Sequence, residues 1–298
     1  MSTDTADESA GQPIEKSEAG SLRKFLVRFA ENKLALFGMV LMAIIMTITL
    51  FAPVIAPYSP TEQNYDAIQE SPSMDHPFGT DDLGRDIFSR VLFGYRTILT
   101  ITFSGVLMAF AIGTSLGLSA GYFGGRADDI VMRSVDVLMS FPSLILALAL
   151  IAAIGPSTWG VALVLGVAYT PIFARVARSE AISVSEEQYI KSLDVRGASR
   201  SRIIFAHLLP NSIGPLIVTV TLQFAFGILT TSTLSFLGVG VQPPNPSLGL
   251  MLAEGKDNLD GAWWMSIFPG IAIMLPVIGF NIIGDGMRDT FDPKQGGR

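Results

Sequence analysis

Six long apolar runs constrain the fold of this chain more than any other feature of its sequence. A helix needs about 20 apolar residues to cross the hydrocarbon of a bilayer, where its backbone must satisfy its own hydrogen bonds. The fourth run is shorter and can extend into the basic stretch behind it. We therefore predict an all-α membrane protein with six transmembrane helices, over residues 34–56, 98–121, 130–154, 159–174, 213–238 and 264–284.

Composition agrees with a polytopic membrane protein. Only 15% of the residues are charged and 49% are hydrophobic, whereas soluble domains carry about 25% charged residues. A net charge of -6 gives no support for a nucleic-acid partner, which requires a basic face. The absence of cysteine and the presence of only two histidines exclude disulfides, thiolate sites and a histidine-rich metal site.

The distribution of Lys and Arg predicts the orientation. With the N-terminus inside, the tail to Lys33 holds five of the 20, the loop with Arg126 and Arg133 two, segment 175–210 six and the C-terminal tail three. Only four lie outside. Because cytoplasmic loops are enriched in Lys and Arg, both termini are predicted to be inside.

This orientation divides the chain. The first twenty residues are polar and acidic, and residues 1–30 are predicted to be a disordered cytosolic tail. Residues 31–294 form the transmembrane domain, with an extracytoplasmic loop over 57–96 and a cytosolic loop over 175–211. Residues 295–298 form a C-terminal tail.

Prolines and small residues predict how the helices pack. Pro142, Pro171, Pro269 and Pro276 should kink their helices. In the second span every fourth residue is small, which allows another helix to approach closely. One interpretation is that this face packs inside the subunit. The other is that it contacts a partner subunit or the part of the transport pathway that moves. The members of this face are Gly105, Ala109, Gly113, Gly117 and Gly121.

Ionisable groups are scarce inside the spans. Asp136 lies near the inner end of the third span, three residues after Arg133. We interpret it as an acid with an ion-pair partner near the cytosolic interface rather than as a group that couples transport to protons or ions. No phosphate-binding loop is present, and we find no internal repeat. The chain is therefore predicted to be no enzyme, and any energy for transport must come from another polypeptide.

The cytosolic segment contains residues that typically begin and end helices. Residues 186–196 favour a helix, with Ser185 and Gln188 as a capping box, and Gly197 stands where a C-cap prefers a left-handed residue. Ser199 or Ser201 can cap a second short helix, and Pro210 begins the return to the membrane. The product is two helices at a glycine corner. They form either a docking peg or an amphipathic helix lying on anionic lipid.

The sequence also resembles a known family. The stretch "GASRSRIIFAHLLPN" is similar to the loop of ABC-importer permeases in which a glycine, here Gly197, precedes an apolar ending at Leu-Pro. The ending His207 to Asn211 resembles the peptide/nickel branch. "HPFGTDDLGRDIFSRVLFGYRT", "GYFGGRADDIVMRSVDVLMSFPSLILAL", "LSFLGVGVQPPNPSLG" and "FNIIGDGMRDTFDPK" also resemble that branch, in the right order. The resemblance covers about residues 34–294.

It implies the type I importer fold and the C-type permease of a dipeptide, oligopeptide or nickel importer in the prokaryotic plasma membrane. Expected partners are a second homologous permease, two ATPases that use ATP and Mg, an extracytoplasmic binding protein and lipid. This chain would need no cofactor. The peg, residues 191–202, would dock on an ATPase. Its expected coupling residues are Lys191, Ser192, Asp194, Arg196, Gly197, Ala198, Ser199, Arg200 and Arg202.

One position departs from the family pattern. The family's Glu-Ala-Ala falls here on Lys191, Ser192 and Leu193. Any contact that the resemblance assigns to the acidic residue is therefore absent or made elsewhere, whereas the glycine corner is unaffected.

The resemblance also marks an extracytoplasmic motif, called the outer motif below: Gly79, Asp81, Gly84, Arg85 and Asp86. A turn with surface pairs among Asp82, Arg85 and Asp86 is one interpretation, and contact with the binding protein is the other. His76 is predicted to be a loop residue, and Trp263 and Trp264 fit an interfacial aromatic belt.

The substrate remains open at this stage. Candidate pathway residues are Gln223, Thr231 and Asn281, polar groups in apolar helices. Peptides are the first expectation, with nickel chelates, glutathione and oligosaccharides as alternatives. The rivals from other classes are an ion-coupled secondary transporter and a membrane scaffold.

Overall fold

The computed structural model describes residue 29 and residues 31–291. The predicted disordered tail over 1–30, apart from residue 29, and the tail over 295–298 lie outside the described residues. Within the described part the chain is helical, and strand-like pairing is limited to one bridge between Thr80 and Asp86. The helices are α1 (Lys33–Ile55), α2 (Ile87–Phe123), α3 (Gly125–Met139), α4 (Ser143–Ile154), α5 (Thr158–Ser185), α6 (Gln188–Val195), α7 (Arg200–Phe236), α8 (Leu248–Gly255) and α9 (Trp264–Phe291).

Side-chain caps fix where three of the long helices begin. The Asn32 side chain accepts from the Leu34 and Ala35 N–H groups at the start of α1. Asp86 accepts from the Ser89 N–H at the start of α2, and Ser157 caps α5 in the same way. Each oxygen satisfies an N–H that has no partner inside its helix.

Five of these helices are long and apolar enough to cross a membrane, and a bent pair makes a possible sixth. They are α1, α2, α5, α7 and α9. Helix α2 begins at Ile87, directly behind its cap and before the predicted start of the second span at residue 98. The fourth span does extend into the basic stretch, since α5 continues to Ser185.

The third predicted span is not one continuous helix, and the predicted kink at Pro142 is confirmed. The span consists of two helices, α3 and α4, bent by 93°. Pro142 stands at the break and has no N–H to continue the hydrogen-bond ladder. Its carbonyl instead accepts from the Leu146 N–H and starts α4. The other kink candidates, Pro171, Pro269 and Pro276, lie within continuous helices.

The fifth predicted span also needs correction. The basic helix behind Gly197 is not separate, because α7 runs without interruption from Arg200 to Phe236. A π-helical turn over Ile204–Leu208 precedes Pro210. There the Leu209 N–H reaches the Ile204 carbonyl, which shifts the ladder by one residue just before a nitrogen that cannot donate.

The small-residue face of α2 packs inside the molecule. A methyl group at Gly105 would lie 2.8 Å from the Ala162 carbonyl oxygen of α5, and one at Gly121 would lie 2.7 Å from the Arg178 carbonyl oxygen. Gly113 and Gly117 also face the α5 backbone. The glycines thus allow α2 and α5 to approach at backbone distance. Helices α2 and α5 form the centre of the bundle, and α7 and α9 pack around them.

Candidate functional site

The peg consists of α6, the corner at Gly197 and the first turn of α7. Ile190 is 2% exposed and anchors α6 to the body of the protein. Lys191, Ser192 and Val195 face outward on the opposite side. The predicted capping box is wrong: Glu187 occupies the N-cap position, and the buried Ser185 hydroxyl has no hydrogen-bond partner among the described residues.

The corner itself agrees with the sequence prediction. Gly197 has a φ of 76°, in the left-handed region. Its N–H donates to the Asp194 carbonyl at 3.0 Å, and the Ala198 N–H donates to the Leu193 carbonyl at 3.1 Å. These two bonds define a Schellman ending. Leu193 and Ala198 both pack against the core, so the corner is fastened on its inner side.

The peg contacts the end of α2 through two aromatic residues. The Tyr122 hydroxyl donates to the Asp194 carboxylate at 3.4 Å. The Arg200 guanidinium lies 5.5 Å from the centre of the Phe123 ring, within cation–π range. Sequence reasoning missed both contacts, although an aromatic pair at the end of a helix, directly before two glycines, was a usable signal.

Those two glycines separate α2 from α3. Gly124 and Gly125 have φ values of 60° and 52°, and a methyl group at either would meet nothing within 4 Å. Glycine is therefore required at these two positions by the positive φ of the backbone and not by a lack of space for a side chain. This glycine joint lies directly between the residues that touch the peg and the bent pair α3–α4.

Ion pairs hold α3 against α5 beyond this joint. Arg178 donates to both oxygens of Asp128, at 2.5 and 2.6 Å, a bidentate geometry. Asp136 has a partner, as expected, but that partner is Arg175 at 2.8 Å on the exposed surface. Arg133 is not its partner.

A second set of contacts joins α6 to α7. The Asn211 amide donates to the Tyr189 hydroxyl at 3.0 Å and to the His207 carbonyl at 2.6 Å. Partial burial, followed by the charge of Glu187, raises the pKa of Tyr189. The shift favours the neutral phenol, which accepts the Asn211 bond.

The outer motif is part of a buried ionic cluster, not a set of surface pairs. Asp81 pairs with Arg85 at 2.7 Å and also with Arg90. Both arginines reach Glu254 of α8, at 3.3 and 3.4 Å. Asp82 is exposed and takes no part. Glu254 was missed because it is far away in the sequence, although a lone acid at the end of an apolar stretch is unusual.

The rest of the outer motif shapes the loop around this cluster. Asp86 caps α2, and its other carboxylate oxygen lies 3.0 Å from Nδ1 of His76, which is a buried loop residue with a carboxylate partner. Gly79 and Gly84 have positive φ. Trp264 is buried, and its indole N–H donates to the Thr80 carbonyl at 3.0 Å, which is not the behaviour of an interfacial belt residue.

The candidate pathway residues are placed in α7 and α9. Gln223 is buried, and the Thr231 hydroxyl is buried without a hydrogen-bond partner. The Asn281 amide donates to the Val277 carbonyl of its own helix at 2.8 Å. Among the residues that the structure describes, no three His, Asp or Glu side chains are grouped so as to hold a metal ion.

The sequence matches two family patterns. Residues 113–297 match the binding-protein-dependent transport system inner membrane component family. Residues 21–72 match the N-terminal transmembrane domain of oligopeptide transport permease C. The first match alone covers more than half of the chain.

Relatives align over nearly the whole length. The dipeptide transport system permease protein DppC of Alkalihalophilus pseudofirmus is 43% identical over 92% of this chain and 90% of its own. The di/tripeptide transport system permease protein DppC of Pseudomonas aeruginosa is 40% identical over 92% of both chains. The glutathione transport system permease protein GsiD of Pectobacterium atrosepticum is 39% identical over 94% of this chain and 93% of its own.

Proposed function

The chain belongs to the family of binding-protein-dependent transport system inner membrane components, and from this premise we propose that it is the permease subunit of an ATP-driven importer of di- and oligopeptides. It is a multi-pass protein of the prokaryotic plasma membrane. The observation that carries the substrate class is the 43% identity with a dipeptide permease over 92% of this chain.

The proposed mechanism is mechanical, and this chain performs no covalent chemistry. ATP and Mg are used by two separate ATPase subunits, so this chain needs no cofactor of its own. The ATPases bind the peg, through the coupling residues predicted above, and their closure displaces it. The rigid corner at Gly197 and the contacts of Asp194 and Arg200 with the end of α2 support transmission into the membrane helices.

The remaining partners follow from the same family. A second, homologous permease completes the pathway, and an extracytoplasmic binding protein delivers the peptide. We infer six spans with both termini in the cytosol, the bent pair α3–α4 counting as one. Gln223, Thr231 and Asn281 stay candidates for the pathway.

The outer motif has a structural role in this proposal. The buried pairing of Asp81 with Arg85 and Arg90 supports a brace that fixes the extracytoplasmic loop to α8. Contact with the binding protein is the alternative, and exposed Asp82 is the residue through which it would be tested.

Reconstituted transport tests the proposal. The chain is purified with its partner permease and ATPases, placed in proteoliposomes and supplied with its binding protein. We expect uptake of a labelled dipeptide that requires both ATP and the binding protein. Uptake driven by an ion gradient without ATPases would contradict the importer class. Uptake of glutathione, a nickel chelate or an oligosaccharide, but of no peptide, would contradict the substrate class alone.

A further inference from the structure

One face of α6 is exposed, and both of its charged members are cations. Gln188, Lys191, Ser192 and Val195 follow one another at helical spacing on this face. Together with Arg196 they line an open groove of about 330 Å³. We call these five residues the docking face.

The docking face carries two cations and no acid. Lys191 and Arg196 are both exposed. The nearest acid along the helix, Asp194, is also exposed, but it does not line the groove and accepts a hydrogen bond from the Tyr122 hydroxyl at 3.4 Å. Glu187 precedes α6 at its N-cap and does not line the groove. A partner that fits this face must therefore supply negative charge.

A single apolar side chain projects from the same face. Val195 is 89% exposed, although its neighbours on the face are polar or charged. A single exposed valine is better suited to a small apolar pocket on a protein partner than to the apolar layer of a membrane.

The arrangement argues against lipid as the occupant. An amphipathic helix on a membrane turns its apolar face to the acyl chains and leaves its polar face in water. In α6 the apolar side is already used, because Ile190 is 2% exposed and Leu193 packs against the core of the chain itself. The free side is the polar one, and the Gly197 corner holds it in place.

We propose that the docking face binds an acidic groove on the ATPase subunit, with an apolar socket that receives Val195. This inference rests on the proposed function and adds the chemistry of the partner surface. Lys191 stands where the family resemblance implies a glutamate, so the charge required of the partner at that point is reversed in this importer.

Binding of the purified ATPase to the permease pair in nanodiscs tests this at increasing NaCl concentration. The double variant Lys191→Gln/Arg196→Gln should lower affinity by about tenfold or more at low salt, and its affinity should depend less on salt, because exposed charge pairs are screened. The matched control Arg126→Gln/Arg133→Gln removes two exposed cations from α3 and should bind like wild type. Val195→Asp should lose binding, whereas Val195→Ile should keep it.

The outcomes separate the two proposals. If the wild-type pair binds its ATPase and the Lys191/Arg196 double variant binds equally well at every salt concentration, the acidic-groove proposal is wrong while the importer proposal stands. If the wild-type pair binds no ATPase, the importer proposal itself fails.

Lipid is tested with an environment-sensitive dye. The chain has no cysteine, so Ser192→Cys gives a single attachment point for the dye, on the docking face but outside the socket proposed for Val195. A blue shift that appears only when the ATPase is added supports the proposal. A blue shift in anionic nanodiscs without ATPase would overturn it in favour of a membrane surface.

Discussion

At the scale of single residues, Gly197 determines the direction of the peg. Its φ of 76° is in the region where a Cβ normally collides with the backbone, and yet the space around it is open. Conformation rather than volume therefore demands glycine here. A side chain that tolerates the left-handed region should be accepted, and one that does not should be rejected.

Substitutions at Gly197 test this. Gly197→Asn should retain most transport and coupled ATPase activity, because asparagine adopts left-handed backbone readily. Gly197→Ala should weaken the corner by about 1 kcal/mol and Gly197→Val by more. Val should abolish transport without preventing membrane insertion. Transport assays and quantification in membranes measure both effects, and equal activity of the Asn and Val variants would contradict the reasoning.

Arg90 is the second decisive residue, because it lies buried between Asp81 and Glu254. Arg90→Met leaves Asp81 with Arg85 alone and should destabilise the fold by about 3 kcal/mol. Thermal unfolding of the purified complex in detergent measures the loss. Arg96→Met, an exposed site on the same helix, is the matched control and should unfold like wild type. Equal unfolding temperatures for the two variants would show that the cluster contributes nothing.

At the scale of elements, the end of α2 is the link between the peg and the bent pair. Tyr122 and Phe123 contact Asp194 and Arg200, and the open glycine joint follows at once. A displacement of the peg therefore acts first on the last turn of α2 and then on α3.

Phe123→Ala combined with Tyr122→Phe should break this link. We expect ATPase subunits to bind with unchanged affinity, since the docking face is intact, while peptide uptake per ATP hydrolysed falls several-fold. Phe141→Ala, an exposed aromatic beyond the link, serves as control. A fall in ATPase affinity would mean that the aromatic pair supports the peg itself and transmits nothing.

Sequence patterns predicted which helices exist better than they predicted where the helices end and which residues they contact. The helix predicted over 186–196 is found over Gln188–Val195, and its glycine ending was predictable because it is a local feature, whereas its predicted capping box was wrong. The continuation of α7 through Pro210 was not predictable, because it depends on a π-helical turn. The Asp81–Arg90–Glu254 cluster was hidden too, since its members are brought together only by the packing of α8 on α2.

At the scale of the whole molecule, the orientation is a proposal that the absence of cysteine makes easy to test. Met74 is 98% exposed in the outer loop, and Val195 is 89% exposed on the peg. Met74→Cys should react with a membrane-impermeant maleimide in intact spheroplasts, and Val195→Cys only in inverted vesicles. The reverse pattern would place the termini outside.

The 93° bend between α3 and α4 gives the chain an uneven hydrophobic thickness. Helix α4 has 12 residues and measures about 18 Å, whereas α1 with 23 residues measures about 35 Å. Hydrocarbon of about 30 Å matches α1 but exceeds α4. If α4 alone meets the hydrocarbon on that side, the bilayer has to thin beside it or another protein has to cover it, at a cost that grows with acyl-chain length. Shorter acyl chains should therefore favour the isolated subunit, and its dependence on lipid length should diminish once its partner covers that side.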